Sequence, residues 1–172
     1  MPRYTKLLPV IQESWYNCWA ASMSWWLAAK SDRGRPQYTQ QEIMEKFSCH
    51  WDKNGAMTFQ GLFDMFREPR FKMKFRNGGN NDLYSLVHKL AEEPVLRVDA
   101  FPVIIGYNDP AAGGNHLAVL CEFDSDPSHQ KLVTMDPRVG YKIRPYTYFE
   151  SQTVVLAWGD EAGFFFDPKK DE

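Results

Sequence analysis

Between Asn17 and Lys30 the sequence NCWAASMSWWLAAK contains neither Pro nor Gly, and its apolar residues cover most of a helix circumference. That pattern predicts a helix buried on nearly all sides, with Cys18 at its N-terminus. SDRGRP at 31–36 ends the helix through Gly34 and Pro36. Thr39, with Glu42 three residues on, reads as a capping box that launches a short helix whose Ile43 and Phe47 share a face. After Thr58, Phe59, Leu62, Phe63 and Phe66 recur at helical spacing until Pro69 breaks the run. FKMKFR at 71–76 alternates apolar and basic residues, the period of a half-buried strand, and Asn77 to Asn80 turns the chain. Leu83, Leu86, Val87 and Leu90 predict a helix over 82–93, closed by Pro94. The character then changes: 102–107, 116–123, 131–136 and 153–158 are short runs rich in Val, Ile and Leu, separated by turn residues, and predict four further strands. Helices come first and strands second without βαβ alternation. The class is therefore α+β, an antiparallel sheet packed against the Trp-rich helix.

With 172 residues, 44% of them apolar, the chain can form one domain, 1–172, with a core that needs neither disulfides nor a metal. A net charge of -2 argues against a general nucleic-acid binder. Nothing approaches the ~18 uninterrupted apolar residues of a membrane span, and the start MPRYTKLLPVIQESW has no signal-peptide pattern, so no membrane partner is expected. Cys18, Cys49 and Cys121 are odd in number and lack zinc-site spacing, which predicts free thiols. No metal or organic cofactor is implied.

The chemistry lies at Cys18. A thiol becomes a nucleophile when its pKa is lowered, and a helix N-terminus and a nearby imidazolium both do so. His116 opens a strand directly after the Gly-rich turn 111–115, where its side chain would be held rigidly. Asp136 ends the next strand, and the twenty residues between the two allow an antiparallel hairpin that brings the strand ends together. Asp124, Asp126 and Asn108 are its competitors for orienting the imidazole. Gln12, six residues before Cys18, could aim its amide N–H at an oxyanion beside the Cys18 N–H.

Q-x5-C-W-A-A at Gln12 and Cys18 to Ala21, G-x-H-x-A-V at Gly114 to Val119, and the strand ending in Asp136 and Pro137 together resemble papain-like cysteine proteases. The likeness is greatest to compact bacterial AvrRpt2-type effector proteases and C39-like peptidases. It covers roughly residues 8 to 158, although the middle third matches only in element order. The resemblance implies a triad of nucleophile Cys18, base and acid His116 and orienter Asp136, with Gln12 as oxyanion donor. It also implies a protease delivered into a target-cell cytoplasm by a specialised secretion system without a signal peptide. Its partners there would be a protein substrate and an immunity protein or secretion-system carrier. Longer papain-type enzymes usually carry Asn as the third member, whereas Asp136 stands here, which favours the shorter branch.

Cys121 lies within a strand and reads as inert core, and the Cys49–His50 pair has neither triad nor metal-ligand geometry. His88, beside the apolar stripe of the 82–93 helix, and His129, in a turn, read as solvated. Trp15, Trp19, Trp25 and Trp26 read mainly as core. Trp15 and Trp19 flank Cys18 and, with Asn115, are the candidate substrate-binding residues. Arg67, Arg70, Lys72, Lys74 and Arg76 read as a solvated basic edge. The alternatives are a peptidoglycan amidase or glutamine deamidase using the same triad, or a degenerate domain that only binds peptide.

Overall fold

The helix predicted at 17–30 forms as α1, Cys18–Ala29, in the structure, a computed structural model that describes residues 6–77, 101–123, 131–150 and 153–160. Trp19 to Leu27 are all buried, as the all-round apolar pattern requires. Most polar atoms that enter the core with α1 find partners on the strands and loops around it, whereas Trp19 Nε1 has none among the described residues. Ser22 Oγ donates to the Leu117 carbonyl at 3.2 Å, Trp26 Nε1 to the Pro102 carbonyl at 2.9 Å, and Trp25 Nε1 to the Tyr141 hydroxyl at 3.0 Å. These bonds fix the rotation of α1 and thereby the placement of Cys18.

Among the described residues two further short helices follow α1, of which the first packs against it and the second against the first strand. In α2, Gln40–Lys46, Thr39 and Glu42 make both bonds of the capping box. In α3, Phe59–Phe66, the Thr58 hydroxyl accepts from the Gly61 N–H. Among the described residues the sheet has six strands: β1 (Met73–Asn77), β2 (Val103–Asp109), β3 (Gly114–Phe123), β4 (Lys131–Asp136), β5 (Gly140–Pro145) and β6 (Thr153–Gly159). All neighbours are antiparallel, in the order β1-β6-β2-β3-β4-β5, and a short helix α4 (Thr147–Glu150) links β5 to β6.

Three differences from the sequence reading have local causes. β5 was not expected: GYKIRP is an edge strand with only Gly140 buried, so it lacks an apolar run. β1 begins two residues late because Pro69–Phe71 forms a 3-10 turn and Lys72 takes a left-handed φ of 49°. β3 begins at Gly114, ahead of His116. The 82–93 helix with His88, and the 124–129 turn with Asp124, Asp126 and His129, lie outside the described residues.

Gly61 marks a close approach of α3 to the segment before it. A Cβ there would lie 2.4 Å from His50 Cβ and 2.6 Å from Met57 Sδ, closer than real contacts allow. Gly61→Ala is expected to lower unfolding free energy by about 1–3 kcal/mol, read as a reduced urea midpoint. An unchanged midpoint would show that the 48–58 segment yields freely.

Candidate active site

Cys18 is the first residue of α1, half-buried, with the partial positive charge of the helix N-terminus at its own backbone N–H. His116 lies on β3, opposite Tyr107 of β2, and is 2% exposed. The register between β3 and β4 pairs Val119 with Met135, which puts Asp136 level with Ala118 and leaves His116 as its diagonal neighbour on the same face. The two side chains meet there: His116 Nε2 lies 2.9 Å from Asp136 Oδ1, and both are buried. On its other side the ring interacts with the Cys18 thiol, and both residues line the same cleft. Cys18, His116 and Asp136 thus form one line running from α1 across β3 to the end of β4.

Burial works against charge on His116, but the bond with Asp136 and the interaction with Cys18 outweigh it, and the ring is pushed up to about 9. Burial also works against the Asp136 carboxylate, yet His116 and Arg138 hold it well below the usual carboxylate range. Both groups are therefore charged at neutral pH. A ring raised from 6.5 to about 9 on folding stabilises the protein fully below about pH 6.5, and that contribution is lost as pH rises through 9. Urea midpoints are expected to decline from pH 7 to 9 and to decline less in His116→Gln. Equal slopes in the two proteins would contradict a charged ring.

Asp136 has more partners than the sequence suggested. Its Oδ1 also accepts from the Arg138 backbone N–H at 3.0 Å, and its Oδ2 from Arg138 Nη2 at 3.2 Å and Arg144 Nη2 at 3.3 Å. The tight turn 136–140 makes this possible. Gly140 closes it with a φ of 84°, a conformation that L side chains rarely adopt, and the turn folds the Arg138 guanidinium back onto the carboxylate. Arg144 also stacks over Tyr148, 4.2 Å from the ring centroid. Asn108, the other described competitor for orienting His116, is exposed on β2 and pairs with Asn115.

Gln12 is held beside this line from two directions. Its backbone N–H donates to the Pro137 carbonyl at 2.8 Å, and the neighbouring residues are clamped by the buried Gln40 side chain. Gln40 Nε2 donates to the Ile11 carbonyl at 3.1 Å, and Gln40 Oε1 accepts from the Glu13 N–H at 3.2 Å. The Gln12 amide itself donates to the carbonyls of Ser14 at 2.9 Å and Trp15 at 3.2 Å. For it to reach an oxyanion, one N–H must swing away from these carbonyls, and the longer bond, to Trp15, is the weaker hold.

A cleft of about 300 Å³ opens over these residues. Its lining draws on Gln12, Trp15 and Tyr16 before α1, on Trp19, on Met57, Phe59 and Leu62 around the start of α3, and on Ala112 to Asn115 before His116. Trp15 is 66% exposed, unlike Trp19, Trp25 and Trp26, so the core reading of the Trp cluster fails for this member. It lies in the loop before α1, where no strand covers it. Trp19 is buried and meets Trp51 edge to face at 6.5 Å, and Asn115 is exposed at the rim.

The other thiols are elsewhere. Cys121 is buried in β3, where loss of water pushes its thiol far up, and Cys49 is exposed. Among the described residues, no three His, Cys, Asp or Glu side chains gather as metal ligands, and no helix is long and apolar enough to cross a membrane.

No family model and no curated protein sequence matches the chain. Solved structures do. A double glycine motif protease from an AMS/PCAT transporter, crystallised with the leader peptide, superposes with a TM-score of 0.58 at 20% identity, over 88% of this chain and 90% of that one. The peptidase domain of Streptococcus ComA, a bi-functional ABC transporter of a quorum sensing pathway, gives 0.59 at 14% identity, over 88% and 96%. At these identities the likeness defines the fold: helices packed on an antiparallel sheet in the papain-like arrangement of C39 peptidase domains. Neither of these two structures is of the AvrRpt2 effector type.

Proposed function

We propose that the chain is a cysteine endopeptidase that cleaves peptide bonds in protein substrates. The observation that carries this reading is Cys18 at an open cleft beside a His116 ring that is itself hydrogen-bonded to Asp136. The Cys18 thiolate attacks the scissile carbonyl, and the tetrahedral oxyanion is held by the Cys18 N–H and a Gln12 amide N–H turned from its loop carbonyl. The His116 imidazolium gives its proton to the leaving amine, which departs and leaves a thioester on Cys18. Neutral His116 then takes a proton from water as that water attacks the thioester, and collapse releases the acid product and restores the thiol pair. Asp136 keeps the imidazole in the plane and tautomer that both steps need.

An extended segment threaded between Trp15 and the Met57–Phe59 wall suits this cleft, and an exposed leader-like segment of a protein is the substrate form we infer. The structure bound to a leader peptide supports that form. Action inside a target cell after export, with a carrier or immunity protein as partner, rests on the sequence resemblance to effector proteases. N-terminal labelling of the proteome of cells expressing the chain, with Cys18→Ala as control, tests the reading. New protein N-termini that depend on Cys18 are expected. Release of ammonia or cell-wall peptides without new protein N-termini would replace the peptidase with a deamidase or amidase.

A further inference from the structure

Behind the His116–Asp136 pair lies a second layer of charge that the steps above leave unused. Arg138 Nη2 bridges two carboxylates, Asp136 at 3.2 Å and Asp109 on the neighbouring end of β2. Asp109 is itself fixed: its Oδ1 accepts from the Ala111 N–H at 2.9 Å, and its Oδ2 accepts the hydroxyls of Tyr107 and Tyr148, each at 3.4 Å. Asp109 and Asp136 are both 1% exposed, so little solvent screens this array. The order of charge outward from the thiol is imidazolium, carboxylate, guanidinium, carboxylate.

We propose that Asp109 and Arg138 are positioning residues that set the orientation and charge of His116 through Asp136. Arg138 grips Asp136 by its backbone N–H and its guanidinium, so the carboxylate cannot rotate away from the ring. That grip has an electrostatic cost. Asp136 faces three cations, His116, Arg138 and Arg144, and of these only the imidazolium can shed its proton near neutral pH. Asp109 offsets the Arg138 charge and so allows His116 to remain protonated beside two guanidinium groups. Among the described residues the titratable and charged groups around His116 are Cys18 from α1, Tyr107 and Asp109 from β2, Asp136 from the end of β4 with Arg138 from the turn after it, and, behind the carboxylate, Arg144 from β5. Burial and the adjacent carboxylates push the Tyr107 phenol far up, so it stays a neutral donor.

This inference deepens the peptidase reading, since it takes His116 as the base, but its test needs no turnover. The full chain, with nitrogen-15 in its histidine rings, is titrated by NMR, the signal missing in His116→Gln giving the assignment. Asp109→Asn is expected to lower the His116 titration by about one pH unit, because one carboxylate then faces three cations. Arg138→Gln removes a cation and is expected to raise the titration, and the double variant returns it to near the parent. An Arg138→Gln titration level with or below the parent, or an unmoved Asp109→Asn, would overturn the proposal, because loss of packing alone gives no opposite signs. If a single variant fails to fold, the double variant, which retains no unpaired charge from the Arg138–Asp109 pair, is expected to fold and titrate near the parent, and a worse double variant overturns the idea. A chain that shows these shifts yet generates no new protein N-termini would refute the peptidase and leave the charge relay standing.

Discussion

Cys18→Ala is expected to leave no measurable turnover in a protein that folds as the parent does. The thiol is half-buried at the first turn of α1, where it packs on the edge of the core, and the fully buried residues of that helix begin at Trp19, so removal of one sulfur deletes the nucleophile at little cost to the packing. His116→Ala is expected to reduce turnover ~1,000-fold or more, because His116 is the ring that interacts with the thiol, and the leaving amine then departs without an acid. Single-turnover cleavage of a substrate found by the N-terminal labelling, with circular dichroism on the same samples, provides the measurement. Residual turnover in Cys18→Ala above that of the double variant Cys18→Ala/His116→Ala would place the nucleophile elsewhere.

Asp136 is expected to matter for both chemistry and folding, and substitutions there separate the two. In Asp136→Ala the guanidinium groups of Arg138 and Arg144 lose a shared buried carboxylate, and stability is expected to fall by about 3–5 kcal/mol. Asp136→Asn keeps an oxygen for His116 but removes the charge and permits the wrong tautomer, so turnover is expected to drop ~100- to 10,000-fold with a smaller loss of stability. Urea unfolding and turnover on the same two variants check this. Equal stability for Asp136→Ala and the parent would show that the arginines find other partners or water.

Gln12→Ala is expected to be the mildest of these changes. It removes one oxyanion donor whose N–H groups are already engaged by Ser14 and Trp15, and it leaves the thiol and its base untouched.

Among the described residues the sequence made the periodic elements and the meeting of Cys18, His116 and Asp136 legible, for physical reasons. An all-round apolar helix declares its burial, so Cys18 could be placed at a helix N-terminus. A strand-turn-strand separation of twenty residues let His116 and Asp136 be brought together before their 2.9 Å contact was known. Edge strand β5 was illegible because its residues face water and lack an apolar run. Arg138, Arg144 and Asp109 were missed because a charged residue near a turn looks the same whether solvated or folded inward. The available signal was the Asp-Pro-Arg-Val-Gly turn, whose left-handed Gly140 and Asp136 acceptor fix where Arg138 points. Gln40 was missed similarly, since within the capped α2 pattern its amide looks like a helix-surface group until Ile11 and Glu13 are seen to lie on it.

The central claim is that His116, charged and held by Asp136, makes Cys18 the reactive thiol of the molecule. Limited iodoacetamide labelling of the full chain at neutral pH, read by peptide mass spectrometry, ranks the three cysteines directly. Cys18 is expected to label before the more exposed Cys49, to lose that lead in His116→Ala, and to do both while buried Cys121 stays unlabelled. Faster labelling of Cys49, or an unchanged rate at Cys18 without His116, would contradict the account.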